Sequence, residues 1–247
     1  MNRFFIPADH FQNGSVQFPP ETAAQIRNVL RLQTGDTVQV LDNRGNAWLA
    51  ALDSVSPSGV TAHLCEAVEM ESEPLSTVIL CLPLTRREKF EWMLQKCTEC
   101  GVSIFQPFIS ERTLIQQSRD FDARKIRWQK IMQEAAEQSG RARLPQLLDP
   151  LPFSTIINEP LQNSLSFFFW EDAKKQSIHT MRSQFTPAPE AIRLMVGPEG
   201  GFSSAEAENA AKNGWQVLTL GNRILRLETA AMAAVLLINY ELEQPPL

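Results

Sequence analysis

From Ser76 onward the sequence alternates short, almost unbroken apolar runs with helix-like stretches, and this alternation limits the fold more than any single motif does. The runs "STVILCLPL", "SIFQPFI", "SLSFFFW", "IRLMV" and "WQVLTL" read as strands buried on both faces. Between them lie the helical stretches "RREKFEWMLQKCTECG", "RKIRWQKIMQEAAEQSG" and "SAEAENAAKNG", a further helical region after "SLSFFFW", and a terminal "LETAAMAAVLLINY". Strands and helices in turn imply an α/β unit with a mostly parallel sheet.

The first seventy residues have another texture. "RFFI", "DTVQVLDNRGNAWLAAL" and "GVTAHLCEAV" read as strands, with "DNRGN" as a hairpin-type turn, and one helix, "PPETAAQIRNVLRL", interrupts them. This is the pattern of a small β-barrel-like module. The acidic segment "EMESEPLS" carries Pro74 and no apolar periodicity, so it marks the boundary: residues 1–70 form the first domain and 74–247 the second.

A chain of 247 residues, 43% hydrophobic and 21% charged, suits one or two ordinary globular domains. No segment has the length of a signal peptide or a membrane span, which points to a cytoplasmic protein with no membrane partner. The four cysteines are too few for a disulfide scaffold. Cys97 and Cys100 form a single C-x-x-C without a second pair, and they read as small residues on the buried side of a helix. His10, His63 and His179 stand far apart, so no metal is assigned. A net charge of −5 does not favour a polyanion. However, Arg119–Arg143 holds seven basic residues against four acidic ones, which is either a phosphate-facing surface or a solvated helix face laced with ion pairs.

Two glycine turns carry the chemistry. "LMV" runs into Gly197 of "GPEGGFS", and "VLTL" runs into Gly221 of "GNRILRLETAAMAAV". In an open α/β sheet ligands sit at the carboxyl ends of the strands, and glycine there lets backbone N–H and C=O groups approach a ligand closely. The dinucleotide fingerprint G-x-G-x-x-G, the phosphate loop and the G-x-S-x-G elbow are absent from the sequence. A slot between two such turns, walled by Leu220, Ile224 and Leu225, suits an adenine and ribose better than a pyrophosphate. Alanines 230, 231, 233 and 234 leave one face of the last helix nearly bare, for core packing or for a second subunit.

Taken together, "VGPEGGFS", "LGNRILRLETAAMAAV", "KCTECGV", "EAAEQSGRARLP", "RFFIP" and "IRNVLRLQTGD" closely resemble the bacterial ribosomal RNA small-subunit methyltransferase E family, over almost the whole chain. The resemblance implies a PUA-like N-terminal β-barrel that binds RNA and a C-terminal α/β domain of the SPOUT class with a trefoil knot. It implies S-adenosylmethionine as cofactor, a uridine of 16S ribosomal RNA methylated at N3 within the assembled 30S subunit, and a homodimer. By the same resemblance Glu171, Val196, Gly197, Pro198, Gly200, Leu220, Gly221, Ile224 and Leu225 line the cofactor slot, with a third loop near Trp170. The chain departs from the family pattern at Gln25, where histidine is common, and at Leu227, where threonine is commoner.

Uracil N3 carries a proton at neutral pH, so methylation there needs a proton acceptor or a stabiliser of the uracil anion. Arg226, with Arg223 as a second candidate, is the expected stabiliser, because a guanidinium is too basic to be the base. Glu199 and Glu228 are the candidate acceptors, although either could instead fix a loop or a helix start. Arg27, Arg31, Arg86, Arg87, Arg141 and Arg143 are candidate RNA phosphate contacts. Two other activities fit less of the sequence: a ribose 2′-O-methyltransferase and a non-catalytic RNA-binding ribosome-assembly factor.

Overall fold

The computed structural model describes residues 1–116, 121–173 and 176–243. Arg119 and Asp120 of the basic stretch lie outside these residues. The chain forms two compact units: residues 1–73 with 136–144, and residues 74–135 with 145–247.

In the first unit, β1 (Arg3–Phe5), β2 (Phe11–Gln12), β3 (Ser15–Gln17), β4 (Thr37–Leu41), β5 (Ala47–Ser56) and β6 (Gly59–Val68) make a six-stranded sheet in the order β1-β4-β5-β6-β3-β2. Only β1 and β4 pair in parallel. The "DNRGN" turn forms as its chemistry dictates. Asp42 accepts hydrogen bonds from the backbone of Arg44 (2.8 Å) and Asn46 (3.1 Å) and from the Asn46 amide (2.7 Å), while Asn43 and Gly45 take positive φ. The helix is shorter than its sequence suggests: α1 spans Pro20–Ala24, and residues Gln25–Leu30 continue as π turns that bury Ile26 and leave Val29 exposed. Phe4, Ile6, Val16, Phe18, Val38, Val40 and Leu52 fill the core.

The segment 136–144 closes this unit through Glu73. Its carboxylate accepts from Arg141 Nη2 at 2.8 Å and from the backbone N–H groups of Ala142 (2.9 Å) and Arg143 (3.1 Å). Ser72 Oγ donates to the Gly140 carbonyl at 2.6 Å, and Leu144 N donates to Asn43 Oδ1 at 2.7 Å.

The second unit carries β7 (Thr77–Pro83), α2 (Arg87–Glu99), β8 (Ile104–Ile109), α3 (Phe121–Ser139, whose last residues belong to the first unit), β9 (Gln146–Leu147), β10 (Leu151–Pro152), α4 (Phe153–Asn158) and β11 (Ser164–Phe169). A 3-10 helix (Ile178–Phe185), β12 (Ala191–Val196), α5 (Ser204–Lys212), β13 (Gln216–Leu218) and α6 (Leu227–Glu243) follow. The sheet order is β10-β8-β7-β12-β11-β13, with β9 also on β8, and every pairing is parallel.

The unbroken apolar runs have a direct cause. Successive side chains of one strand enter opposite layers. Leu80, Leu82, Phe167, Phe169, Leu194 and Val196 pack with α2 and α6, whereas Cys81, Phe168 and Met195 pack with α4 and α5. On α6, Ala231 and Ala234 are fully buried in the layer that holds Phe90, Met93, Leu94 and Cys97 of α2. Asn239 Nδ2 donates to the Cys100 carbonyl at 2.7 Å. Cys97 is buried and Cys100 half-buried, and burial pushes both thiols up from their ordinary pKa. Arg193 is the polar exception inside β12. Its guanidinium donates to Ser166 Oγ (2.9 Å) and the Glu159 carbonyl (2.9 Å) and lies 4.6 Å from the Trp215 ring centre.

Candidate functional site

Three neighbouring strands of the second unit end level with one another. In the sheet register Phe169 of β11 stands beside Val196 of β12 on one side and Leu218 of β13 on the other. The chain therefore leaves all three strands at one height, and the segments beginning at Trp170, Gly197 and Thr219 wall a cleft of ≈ 380 Å³. That volume lies within the range of small-molecule sites, about 300–1,000 Å³.

The turn after β12 is built around its glycines. Gly201 has φ +67° and its N–H donates to the Pro198 carbonyl at 2.9 Å. A Cβ on Gly201 would collide with the Glu171 carboxylate, so the two loops meet there at backbone distance. Ser203 and Glu206 then cap α5 reciprocally, with Ser203 N donating to Glu206 Oε2 at 2.9 Å and Glu206 N to Ser203 Oγ at 3.3 Å. After β13, Gly221 adopts φ +113°. Its N–H and C=O both bond the Thr219 hydroxyl, at 3.1 and 3.0 Å.

Most of the expected cofactor residues come together here. Glu171, Val196, Gly197, Pro198, Leu220, Gly221, Ile224 and Leu225 all line the cleft. Gly200 does not. Its carbonyl accepts from Arg112 Nη1 at 3.2 Å and its Cα faces the Arg112 side chain, while the neighbouring Gly201 takes the place on the wall. Arg226, Arg223 and Leu227 also line the cleft, and both guanidinium side chains are on exposed residues. Ile224 is 89% exposed at its mouth. Trp170 also lines the cleft, while its side chain packs against the α4/α5 layer with Nε1 buried and without a hydrogen-bond partner among the described residues. A backbone-lined, mostly apolar slot fits a nucleoside-bearing cofactor.

One residue of the wall was invisible to the sequence patterns. Lys89, in the first turn of α2, lines the cleft and places its Nζ 3.3 Å from Glu199 Oε1 and 3.7 Å from Glu228 Oε2. Glu199 also accepts from Thr85 Oγ1 at 2.5 Å. Burial pushes the Glu199 carboxyl up, but the Thr85 hydroxyl, a backbone N–H and the Lys89 ammonium outweigh it and hold the group below the usual carboxylate range. Glu228, in the first turn of α6, is outside the lining, and its Oε2 is buried with no hydrogen bond among the described residues.

The arginines expected to meet RNA divide unevenly. Arg27, Arg31, Arg141 and Arg143 are on the first unit and Arg86 and Arg87 on the second. Arg31 and Arg86 are exposed, and Arg87 is a largely exposed partner of Glu91 at 3.5 Å. Arg27 donates to the Ser56 carbonyl at 2.9 Å, and the exposed Arg143 donates to the Arg44 carbonyl at 3.1 Å. Arg141 departs from the expectation. It is 3% exposed and ion-paired with Glu73, so it holds the first unit together instead of offering a charge to phosphate.

Comparison with known proteins gives a consistent result. Residues 71–239 match the RNA methyltransferase domain family, and residues 26–65 match the RNA methyltransferase PUA domain family. The chain is 37% identical to the ribosomal RNA small subunit methyltransferase E of Synechocystis over 98% of its own length and 78% of that protein. It is 31% identical to the protein of the same name from Bacillus subtilis over 98% of both chains. Its fold superposes with a TM-score of 0.84 on the crystal structure of a ribosomal RNA small subunit methyltransferase E from Neisseria gonorrhoeae bound to S-adenosyl methionine, at 29% identity over 95% of each chain.

Proposed function

The chain belongs to the ribosomal RNA small subunit methyltransferase E family, and on that premise we propose that it methylates N3 of a uridine in 16S ribosomal RNA within the 30S subunit, as a cytoplasmic homodimer. The enzyme is an S-adenosylmethionine-dependent methyltransferase. The observation that carries the site assignment is the level ending of β11, β12 and β13 under two glycine turns, because it puts backbone donors, backbone acceptors and apolar side chains around one slot.

When bound, S-adenosylmethionine supplies a methyl group on a sulfonium whose leaving group is a neutral thioether. The protein's work is therefore on the side of the uracil. Glu171, Val196, Gly197, Pro198, Gly201, Leu220, Gly221, Ile224 and Leu225 hold the cofactor. Arg226, assisted by Arg223, faces the open mouth and stabilises the uracil anion at its carbonyl oxygens. Glu199, one of two carboxylates on the wall with Glu171, is ionised and is the acceptor assigned to the N3 proton. Glu228 supports the site from behind Lys89. Holding donor and acceptor in line contributes most, about 7–11 kcal/mol where the geometry is fixed.

Arg27, Arg31, Arg86, Arg87 and Arg143 remain the phosphate contacts. The homodimer is supported by α6, whose outer face leaves Leu236 (48%), Leu237 (43%) and Tyr240 (60%) exposed. Among the described residues no helix is long and apolar enough to cross a membrane. A trefoil knot in the second unit belongs to the same proposal.

The test is direct. Labelled S-adenosylmethionine is incubated with the protein and with small subunits from cells lacking this activity, and the RNA is digested to nucleosides. N3-methyluridine is the expected product. A 2′-O-methyl nucleoside would assign the ribose instead, and absence of label would leave an RNA-binding assembly factor.

A further inference from the structure

We propose that Lys89 is the positioning residue of the cleft, its ammonium holding the Glu199 turn against the first turn of α6 through Glu228. This rests on the function proposed above and assigns a role to a side chain that the glycine motifs do not include.

The charge is not placed for the sake of its own helix. The N-terminal turn of α2 already follows Arg86, begins with Arg87 and contains one acid, Glu88. A further cation there opposes the helix dipole, which favours negative charge at that end. The contact with Glu199 is solvent-exposed and alone would contribute little; the second carboxylate is what sets it apart. One ammonium stands between two carboxylates from different parts of the chain, 3.3 Å from Glu199 and 3.7 Å from Glu228. The Glu228 Oε2 that faces it is buried and has no hydrogen bond among the described residues. Lys89 is therefore the cation that offsets that oxygen's charge, and losing it would leave two carboxylates facing one another with less compensation.

The consequence is geometric. Glu199 is in the Gly197–Gly201 turn, and Glu228 is in the first turn of α6, just past the Gly221–Arg226 loop. These are the two glycine walls of the slot. Thr85 fixes Glu199 from one side at 2.5 Å, and Lys89 ties it across to the other wall. Lys89 thus sets the position of the proton-accepting carboxylate from the wall of the cleft. The other charged groups near this turn are Arg112, on the Gly200 carbonyl, Glu171, packed on Gly201, and Arg226 on the opposite wall.

The test compares Lys89→Met, which keeps the aliphatic stem and removes the charge, with Lys89→Arg and with Lys89→Met/Glu228→Gln. Thermal melting confirms that each variant is folded. Lys89→Met should lower kcat by about tenfold, the size of a typical coupling between touching groups, with a smaller effect on KM for the RNA. The acid limb of its kcat profile should move to higher pH, because the ammonium no longer favours the ionised carboxylate. Lys89→Arg should restore most of the rate. The double variant should be no slower than Lys89→Met, since the two groups act as one unit. An unchanged rate and acid limb in Lys89→Met would overturn the inference, and so would a double variant clearly slower than Lys89→Met. A wild-type protein that methylates no RNA would instead sink the proposed function.

Discussion

Gly221→Ala isolates the energetic contribution of one backbone angle. Gly221 has φ +113°, well beyond the left-handed helical region, and an added Cβ would meet nothing within 4 Å. The substitution therefore adds no clash and removes no contact. What it adds is conformational strain, about 1–3 kcal/mol for a side-chain-bearing residue held in a sparsely populated region. Residues 221–224 are all exposed, so in the free protein the alanine turn can relax without disturbing the core. The strain must be restored when the loop closes on the cofactor's nucleoside, so it should appear in binding. At 1.4 kcal/mol per tenfold, the Kd for S-adenosylmethionine should rise by roughly 5- to 150-fold, while the melting temperature falls little. Calorimetric titration and thermal unfolding of the same preparation measure both. A Kd within twofold of wild type would refute the reasoning, because it would mean that the loop binds nothing that depends on its shape.

Three further outcomes follow from other groups. Glu73→Gln should destabilise the first unit by about 3 kcal/mol, the range for breaking a buried ion pair, because the buried Arg141 loses its pairing with the Glu73 carboxylate; urea unfolding monitored in that unit reads it out. Glu199 has a depressed carboxyl pKa in the folded protein, so its contribution to stability is complete above its ordinary pKa and is lost as pH falls toward the depressed one. Thr85→Val removes one of the interactions that depress it, and acid titration of the variant should show stability and methyl transfer failing at higher pH than in wild type. Arg226→Ala should lower kcat by about 10²- to 10³-fold, the usual effect of losing a transition-state donor, with a much smaller change in cofactor Kd; equal losses in both would place Arg226 in binding alone.

Much of the second unit was legible because its chemistry is local. Phe167, Phe168 and Phe169 in a row can only be a strand covered on both sides, and the structure sends alternate members into opposite layers. Glycines that end strands announced the cleft, since close approach of backbone is a property a single residue can encode. What depends on distant partners was not legible. Lys89 reaches the site from a turn 110 positions before Glu199, and a lone lysine in "TRREKFE" carries no trace of that meeting. Arg141 looked like a surface cation because it stands in a basic stretch, and only the contact with Glu73, 68 residues earlier, shows it to be an internal one. Gly200 and Gly201 are identical in sequence terms, and the Arg112 side chain decides which of them faces the slot. The helical pattern of α3 continues smoothly through Ala135, so nothing in its periodicity reveals that residues 136–144 pack with the first unit.

That last arrangement bears on the order in which the protein is made. By the time Glu73 leaves the translating ribosome, every strand of the N-terminal sheet is present, yet its carboxylate must await Arg141, 68 residues later. At synthesis rates of about 5–20 residues per second this is an interval of several seconds, during which the nascent sheet is complete in its strands and lacks its clasp. The closing step of the first unit is thus deferred until more than a third of the second has been synthesised.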